Sequence, residues 1–193
     1  MNWKKEFKSW GLILSIFAFL YFTGLITPIM GGIQSALLST GLIKPKIVLE
    51  NKTFETFNYA GHFTDINGEV FELKQLEGKI IFINIWATWC PPCRAEMPHI
   101  ASLYEKFKDE KGIDFMMIAT DKDFEKSKML VKDKGWDFPI YHASHGLNSS
   151  LQSQSIPTTF VVDEKGQILF YQEGMSNFDT QEFRLFLKSL IKV

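Results

Sequence analysis

The sequence predicts an α/β domain behind a long apolar N-terminal segment. Three observations carry this. Residues 80–86, Ile-Ile-Phe-Ile-Asn-Ile-Trp, form an apolar run of the kind buried on both faces of a sheet. Past a short turn, apolar residues recur at Cys93, Met97, Ile100, Tyr104 and Phe107, the spacing of one helix face. From there the signals alternate as strand, helix and hairpin to a final helix, the layout of helices covering a sheet.

The elements follow in order. Residues 1–9 form a short basic tail, with Lys4, Lys5 and Lys8 against Glu6. No charged residue occurs from Trp10 to Ile43, and residues 10–30 are long and apolar enough for one membrane-crossing helix. Trp10 stands where an interfacial anchor would, whereas Tyr21 lies mid-span. A cleaved signal peptide is the competing reading, but its apolar region would be shorter, and no clear small-x-small cleavage site follows. The lysines ahead of the span orient the N-terminus to the cytoplasm and everything after it to the other side. Residues 31–49, apolar to Ile43 with Gly31, Gly32 and Gly41, read as a juxtamembrane linker, either lying on the membrane surface or acting as a short tether, and residues 50–193 as the folded domain.

Within that domain, Phe63–Leu73 reads as a hairpin turned at Asn67-Gly68. Leu76–Lys79 connects to the central strand. Ile113–Ala119 is a second apolar strand, Asp121–Lys134 a polar helix ended by Gly135, and Phe138–His142 a short strand. Ser144–Ser155 is a loop or a short helix. A strand introduced by Pro157 runs to Asp163, turns at Glu164-Lys165-Gly166 and returns through Gln167–Tyr171. Asp179 and Glu182 predict a capping box for the last helix, whose face is Phe183, Phe186, Leu187 and Leu190.

Composition narrows the chemistry. Of 193 residues, 46% are hydrophobic, enough for a sizeable core. The net charge of −1 is spread over mixed signs and gives no footprint for nucleic acid. The two cysteines, Cys90 and Cys93, are too few for a disulfide framework. A structural zinc site needs about four ligands, and His62, His99, His142 and His145 show no ligand spacing near the pair, so no metal is expected. A lone Cys-x-x-Cys between strand and helix points to redox activity. It sets Cys90 at a helix N-terminus, where free N–H groups and the helix dipole favour a thiolate. Pro91 and Pro92 suit the first turn, which does not need their missing N–H groups.

The residues Gly78-Lys79, Asn84-Ile85-Trp86-Ala87-Thr88-Trp89, Cys90-Pro91-Pro92-Cys93, Glu96-Met97-Pro98, Ile156-Pro157-Thr158 and Gly174 carry a resemblance. Over roughly residues 50–193 the chain resembles the thioredoxin-like superfamily, and more closely its membrane-anchored TlpA/ResA-type thiol–disulfide oxidoreductases. The resemblance implies a thioredoxin-like fold, a central mixed sheet flanked by helices, with an N-terminal β-hairpin extension and one transmembrane helix ahead of it. It implies Cys90 as nucleophile and Cys93 as resolving thiol, with no cofactor beyond their disulfide. It also implies a cis bond before Pro157 facing the cysteines, and an Ile156 backbone that pairs with an extended substrate. Trp89, Pro91 and Pro92 complete the expected substrate-facing surface.

General thioredoxins carry a buried aspartate where this chain has Asn84. The TlpA/ResA group instead places a carboxylate three residues after the second cysteine, here Glu96, one helical turn from Cys93. Glu96 is therefore the candidate proton relay, since a partly buried carboxyl has a raised pKa. The expected reaction is reduction of protein disulfides outside the cytoplasm, at the inner membrane or its periplasmic side. Partners implied are protein thiols, apocytochrome c among them, and a membrane electron donor. Rival readings are a disulfide donor or isomerase, a non-catalytic membrane-tethered assembly module, and a thiol peroxidase of the related peroxiredoxin group. In the peroxidase motif Pro-x-x-x-Thr-x-x-Cys, the threonine's place is held here by Ala87 and the proline's by an apolar strand residue.

Overall fold

A computed structural model of the chain describes residues 3–47 and 56–191, with side chains from residue 10 onward. Of the expected tail at residues 1–9, residues 3–9 are the first part of helix α1, and the domain boundary expected at residue 50 lies outside the described residues. The helices are α1 (Trp3–Phe22), α2 (Ile26–Ser39), α3 (Pro91–Phe107), α4 (Phe124–Lys134) and α5 (Gln181–Leu190). The strands are β1 (His62–Thr64), β2 (Val70–Glu72), β3 (Ile80–Trp86), β4 (Ile113–Ala119), β5 (Ile140–His142), β6 (Thr158–Val162) and β7 (Ile168–Glu173). They form one sheet in the order β2-β1-β5-β4-β3-β6-β7. β3 pairs parallel to β4 and antiparallel to β6, so the sheet is mixed. The hairpin β1–β2 joins its edge through Thr64 opposite His142.

β3 is buried along its whole length because both of its faces are covered. Successive side chains point to opposite faces. Ile80, Phe82 and Trp86 meet Met97, Ile100, Leu103 and Phe107 of α3 and Phe183 and Leu187 of α5. Ile81, Ile83 and Ile85 meet Phe63, Leu73, Leu151 and Phe160 in a second cluster. Asn84 falls on the α3 side by the same alternation, the one polar residue in that row.

Two expectations are corrected here. Residues 10–30 are not one helix. α1 ends at Phe22, Gly24 adopts a left-handed φ of +70°, and α2 starts at Ile26. Glycine takes that conformation without strain, and Pro28 lacks the N–H that the Gly24 carbonyl would need in a continuous helix. No single helix among the described residues is long and apolar enough to cross a membrane; α1 from Trp10 and α2 pass that test only as a pair bent by 97°. Nor is the segment from Gly31 a simple linker. Its first part, to Ser39, belongs to α2, which lies against α3. Gly31 is buried, and a Cβ there would sit 3.0 Å from Arg94 Cβ and 3.3 Å from the Pro91 carbonyl. Leu38 is fully buried, and its carbonyl accepts from Asn177 Nδ2 at 3.3 Å. Gly31→Leu is therefore expected to lift α2 from α3 at a cost of about 1–3 kcal/mol, read as faster amide hydrogen exchange across residues 26–39.

The cap of α5 also differs from expectation. Thr180, not Asp179, is the N-cap, its Oγ1 accepting from Phe183 N. Asp179 is drawn away because it pairs with Arg184 and Lys106 and accepts from Ser102 Oγ, tying the α5 entry to α3. This loop also carries Phe178, fully buried among Phe82, Phe170 and Phe183. It fixes the height of Ser176, which matters below.

Candidate active site

The site lies where β3 hands over to α3. Thr88, in the turn between them, is clamped from the neighbouring strand end. Its N–H and hydroxyl donate to the Asp121 carboxylate at 2.9 and 2.6 Å, and Ser127 Oγ donates to the same group at 2.9 Å. Asp121 and Thr88 were not singled out from sequence, since an aspartate after an apolar strand carries no signal of its own.

Cys90 caps α3 with extended backbone, and Cys93 N–H points at its Sγ at 3.2 Å. Pro91 and Pro92 fill the first two helical positions, as expected. Cys90 and Cys93 are joined as a disulfide, with Sγ atoms 2.12 Å apart. Their exposure is unequal. Cys90 keeps 3% of its surface and Cys93 none, so an external partner meets Cys90 first. The Ile156–Pro157 bond is cis, as the resemblance implied, and the Ile156 carbonyl lies 3.8 Å from Cys90 Sγ. Trp89 is 62% exposed, and Pro91, Pro92 and Ile156 are half-buried. The expected substrate-facing residues thus gather around one sulfur.

Behind Cys93, Glu96 is fully buried. Asn84 Nδ2 donates to its Oε1 at 2.7 Å and Ser176 N–H to its Oε2 at 3.1 Å. Asn84 Nδ2 also donates at 2.9 Å to Thr159 Oγ1, its partner across the β3–β6 ladder. Burial pushes the Glu96 carboxyl up to about 8, and the Asn84 and Ser176 donors pull against it. The resemblance marked Asn84 as the place of a missing aspartate. The structure adds that its amide holds Glu96. Asn84→Ala is expected to raise the Glu96 pKa further by removing a donor to the charged form. It should also cost about 1–3 kcal/mol; carboxyl titration by carbon NMR and urea unfolding read the two effects.

His99, on α3, is half-buried, and its Nε2 is out of solvent with no hydrogen-bond partner among the described residues. No cluster of three or more potential metal ligands occurs among the described residues.

A mixed sheet with a cysteine pair capping a helix and a cis-proline opposite defines a thioredoxin-like protein with a redox-active dithiol. Comparison with known proteins specifies it. Residues 51–171 match the AhpC/TSA family. The chain is 35% identical over 127 residues to the thiol–disulfide oxidoreductase ResA of Halalkalibacterium halodurans, covering 64% of this chain and 71% of that one. It is 35% identical over 104 residues to the thioredoxin-like protein YneN of Bacillus subtilis, covering 53% and 61%. A thioredoxin-family thiol:disulfide interchange protein from Chlorobium tepidum superposes with a TM-score of 0.59 at 26% identity, over 72% of this chain and 98% of that one. The chain belongs to the AhpC/TSA family and, within it, to the ResA/TlpA-type thiol–disulfide oxidoreductases.

Proposed function

We propose that this thiol–disulfide oxidoreductase reduces disulfides of extended protein segments on the outer side of a membrane that anchors it. The observation that carries the chemistry is the paired asymmetry of the site, a Cys90 that keeps a small exposed surface, backed by a fully buried Cys93 and Glu96. In the reduced protein, the Cys90 thiolate attacks one sulfur of a substrate disulfide. A mixed disulfide forms and the first substrate thiolate leaves. Glu96 takes the Cys93 proton, and the Cys93 thiolate attacks Cys90 Sγ. The Cys90–Cys93 disulfide forms, and the second substrate thiolate departs with the electron pair of the broken bond. Two electrons and two protons from a membrane dithiol donor then restore the pair. Trp89, Pro91 and Pro92 flank the substrate, and the Ile156 backbone ahead of Pro157 pairs with it.

The lysines before the apolar segment support the orientation, and the ResA relatives support protein thiols as the substrate class. Apocytochrome c, whose haem-attachment cysteines must be kept reduced, is the proposed substrate. The deciding measurement is the reduction potential of the Cys90–Cys93 couple in the full chain, equilibrated against a thiol redox buffer. A value near about −270 mV, that of thioredoxin, supports a reductase. One near about −120 mV, that of a strong oxidant, makes it a disulfide donor instead.

A further inference from the structure

The N-terminal pair of helices is shaped for a lipid surface. α1 is exposed over residues 10–19, with Leu12, Ile16, Phe17 and Phe19 each more than half uncovered. The 97° bend then turns the chain from one direction into a plane at right angles to it. α2 has two distinct long faces. One carries Gly31 and Leu38 and is closed by α3 and the Asn177 loop. The other carries Ile29, Met30, Ile33 and Leu37, which are 45, 42, 61 and 43% exposed. These four recur at helical spacing and form one stripe. No charged residue interrupts either helix between Trp10 and Ser39.

Direction matters as well. Gly31 meets the first turn of α3, whereas Leu38 meets Asn177, close to Asp179 and its partners Ser102 and Lys106 further along α3. The two helices therefore run the same way. Residues 25–31 span about 9 Å of helix, so the bend lies at the Cys90 end of α3. A helix that leaves the domain there at right angles to α2 and enters a bilayer sets α2 parallel to the membrane surface, and the exposed stripe is the apolar face α2 has to offer it.

We infer that α2 lies in the headgroup layer of a lipid bilayer on its Ile29–Met30–Ile33–Leu37 stripe and holds the Cys90 face of the domain at a fixed height above it. That height is about one helix diameter, ~10 Å. The inference rests on the proposed membrane anchor and replaces a loose tether by a rigid mount. Its consequence is selective. A donor thiol presented at the membrane surface meets Cys90 directly, and so does a substrate segment emerging there.

Nitroxide labels test this in the full chain, reconstituted in phosphatidylethanolamine–phosphatidylglycerol vesicles. The background carries Cys90→Ala and Cys93→Ala so that each label is unique. Labels are introduced through Phe17→Cys, Ile33→Cys, Leu37→Cys and Met129→Cys, all at exposed positions. Collision with oxygen, which concentrates in lipid, is compared with collision with a water-soluble nickel chelate. Positions 33 and 37 are expected to favour oxygen, position 17 to lie deeper, and position 129 to favour nickel. If 33 and 37 match 129 while 17 stays deep, the mount is refuted and the anchor stands. Shielding of 33 and 37 from both probes means a protein covers the stripe, which also refutes it. If 17 too favours nickel, the anchor itself falls and the inference with it.

Discussion

Cys93→Ser is expected to stop turnover after the first exchange and to leave the protein covalently joined to its substrate. Cys90 still attacks, but a serine hydroxyl on α3 has no thiolate to displace the mixed disulfide. Cys90→Ser fails one step earlier, because the sulfur that an external partner can reach is gone, Cys93 being fully buried. Both variants should lose at least about 10³-fold in steady-state disulfide reduction. Only Cys93→Ser should show a substrate adduct on a non-reducing gel or by mass spectrometry. Turnover at the parent rate by Cys90→Ser would refute the assignment of roles. Both side chains are nearly isosteric with cysteine, so the fold is expected to persist.

Glu96→Gln is expected to alter two pH profiles. The first is stability. The folded chain holds the Glu96 proton up to about 8, against 4.5 for an ordinary carboxyl. Between those values the folded state keeps a proton that the unfolded state has released. Stability is therefore fullest below the lower value, falls as pH rises towards the upper one, and stays reduced above it. The shift amounts to on the order of 5 kcal/mol for a fully buried group. Glutamine cannot titrate, so the oxidised variant should lose this slope in urea unfolding between about pH 5 and about pH 9. The second profile is rate. Resolution of a mixed disulfide on Cys90 should accelerate in the parent as Glu96 ionises and becomes able to take the Cys93 proton. In the variant it should be about 10²-fold slower above that pH. A variant with unchanged resolution at every pH would leave Glu96 without a catalytic part.

The sequence was most legible where periodicity and burial agree. β3 and α3 announced themselves through an apolar run and an i, i+3/i+4 stripe, and the hairpins through Asn67-Gly68 and the Gly166 turn. The cysteine pair, its helix N-terminus and the cis-proline were all readable, the last by resemblance alone. Glu96 was named as a proton relay by resemblance alone, since the burial behind Cys93 that raises its pKa leaves no signal in the local sequence. What escaped were features made by tertiary contact. Thr88 and Asp121 are 33 residues apart and meet because β3 and β4 end side by side. Asp179 gave up its expected cap because Arg184 and Lys106 reach it first. The bend before α2 was written in Gly24 and Pro28, yet hydropathy averaged over the span concealed it.

The close contact of Gly31 with α3 bears on how this protein can be dissected. A truncation that begins just past Ser39 removes the apolar segment but also strips a wall from the first turn of α3. Pro91, Arg94 and Ala95 would then face water where they face Gly31 now. The helix that presents Cys90 would lose its neighbour on one side, so a fragment cut there would report on an altered enzyme. The natural cleavage point is the break between the two N-terminal helices. A fragment starting at Ile26 keeps α2 as part of the catalytic body and discards only α1.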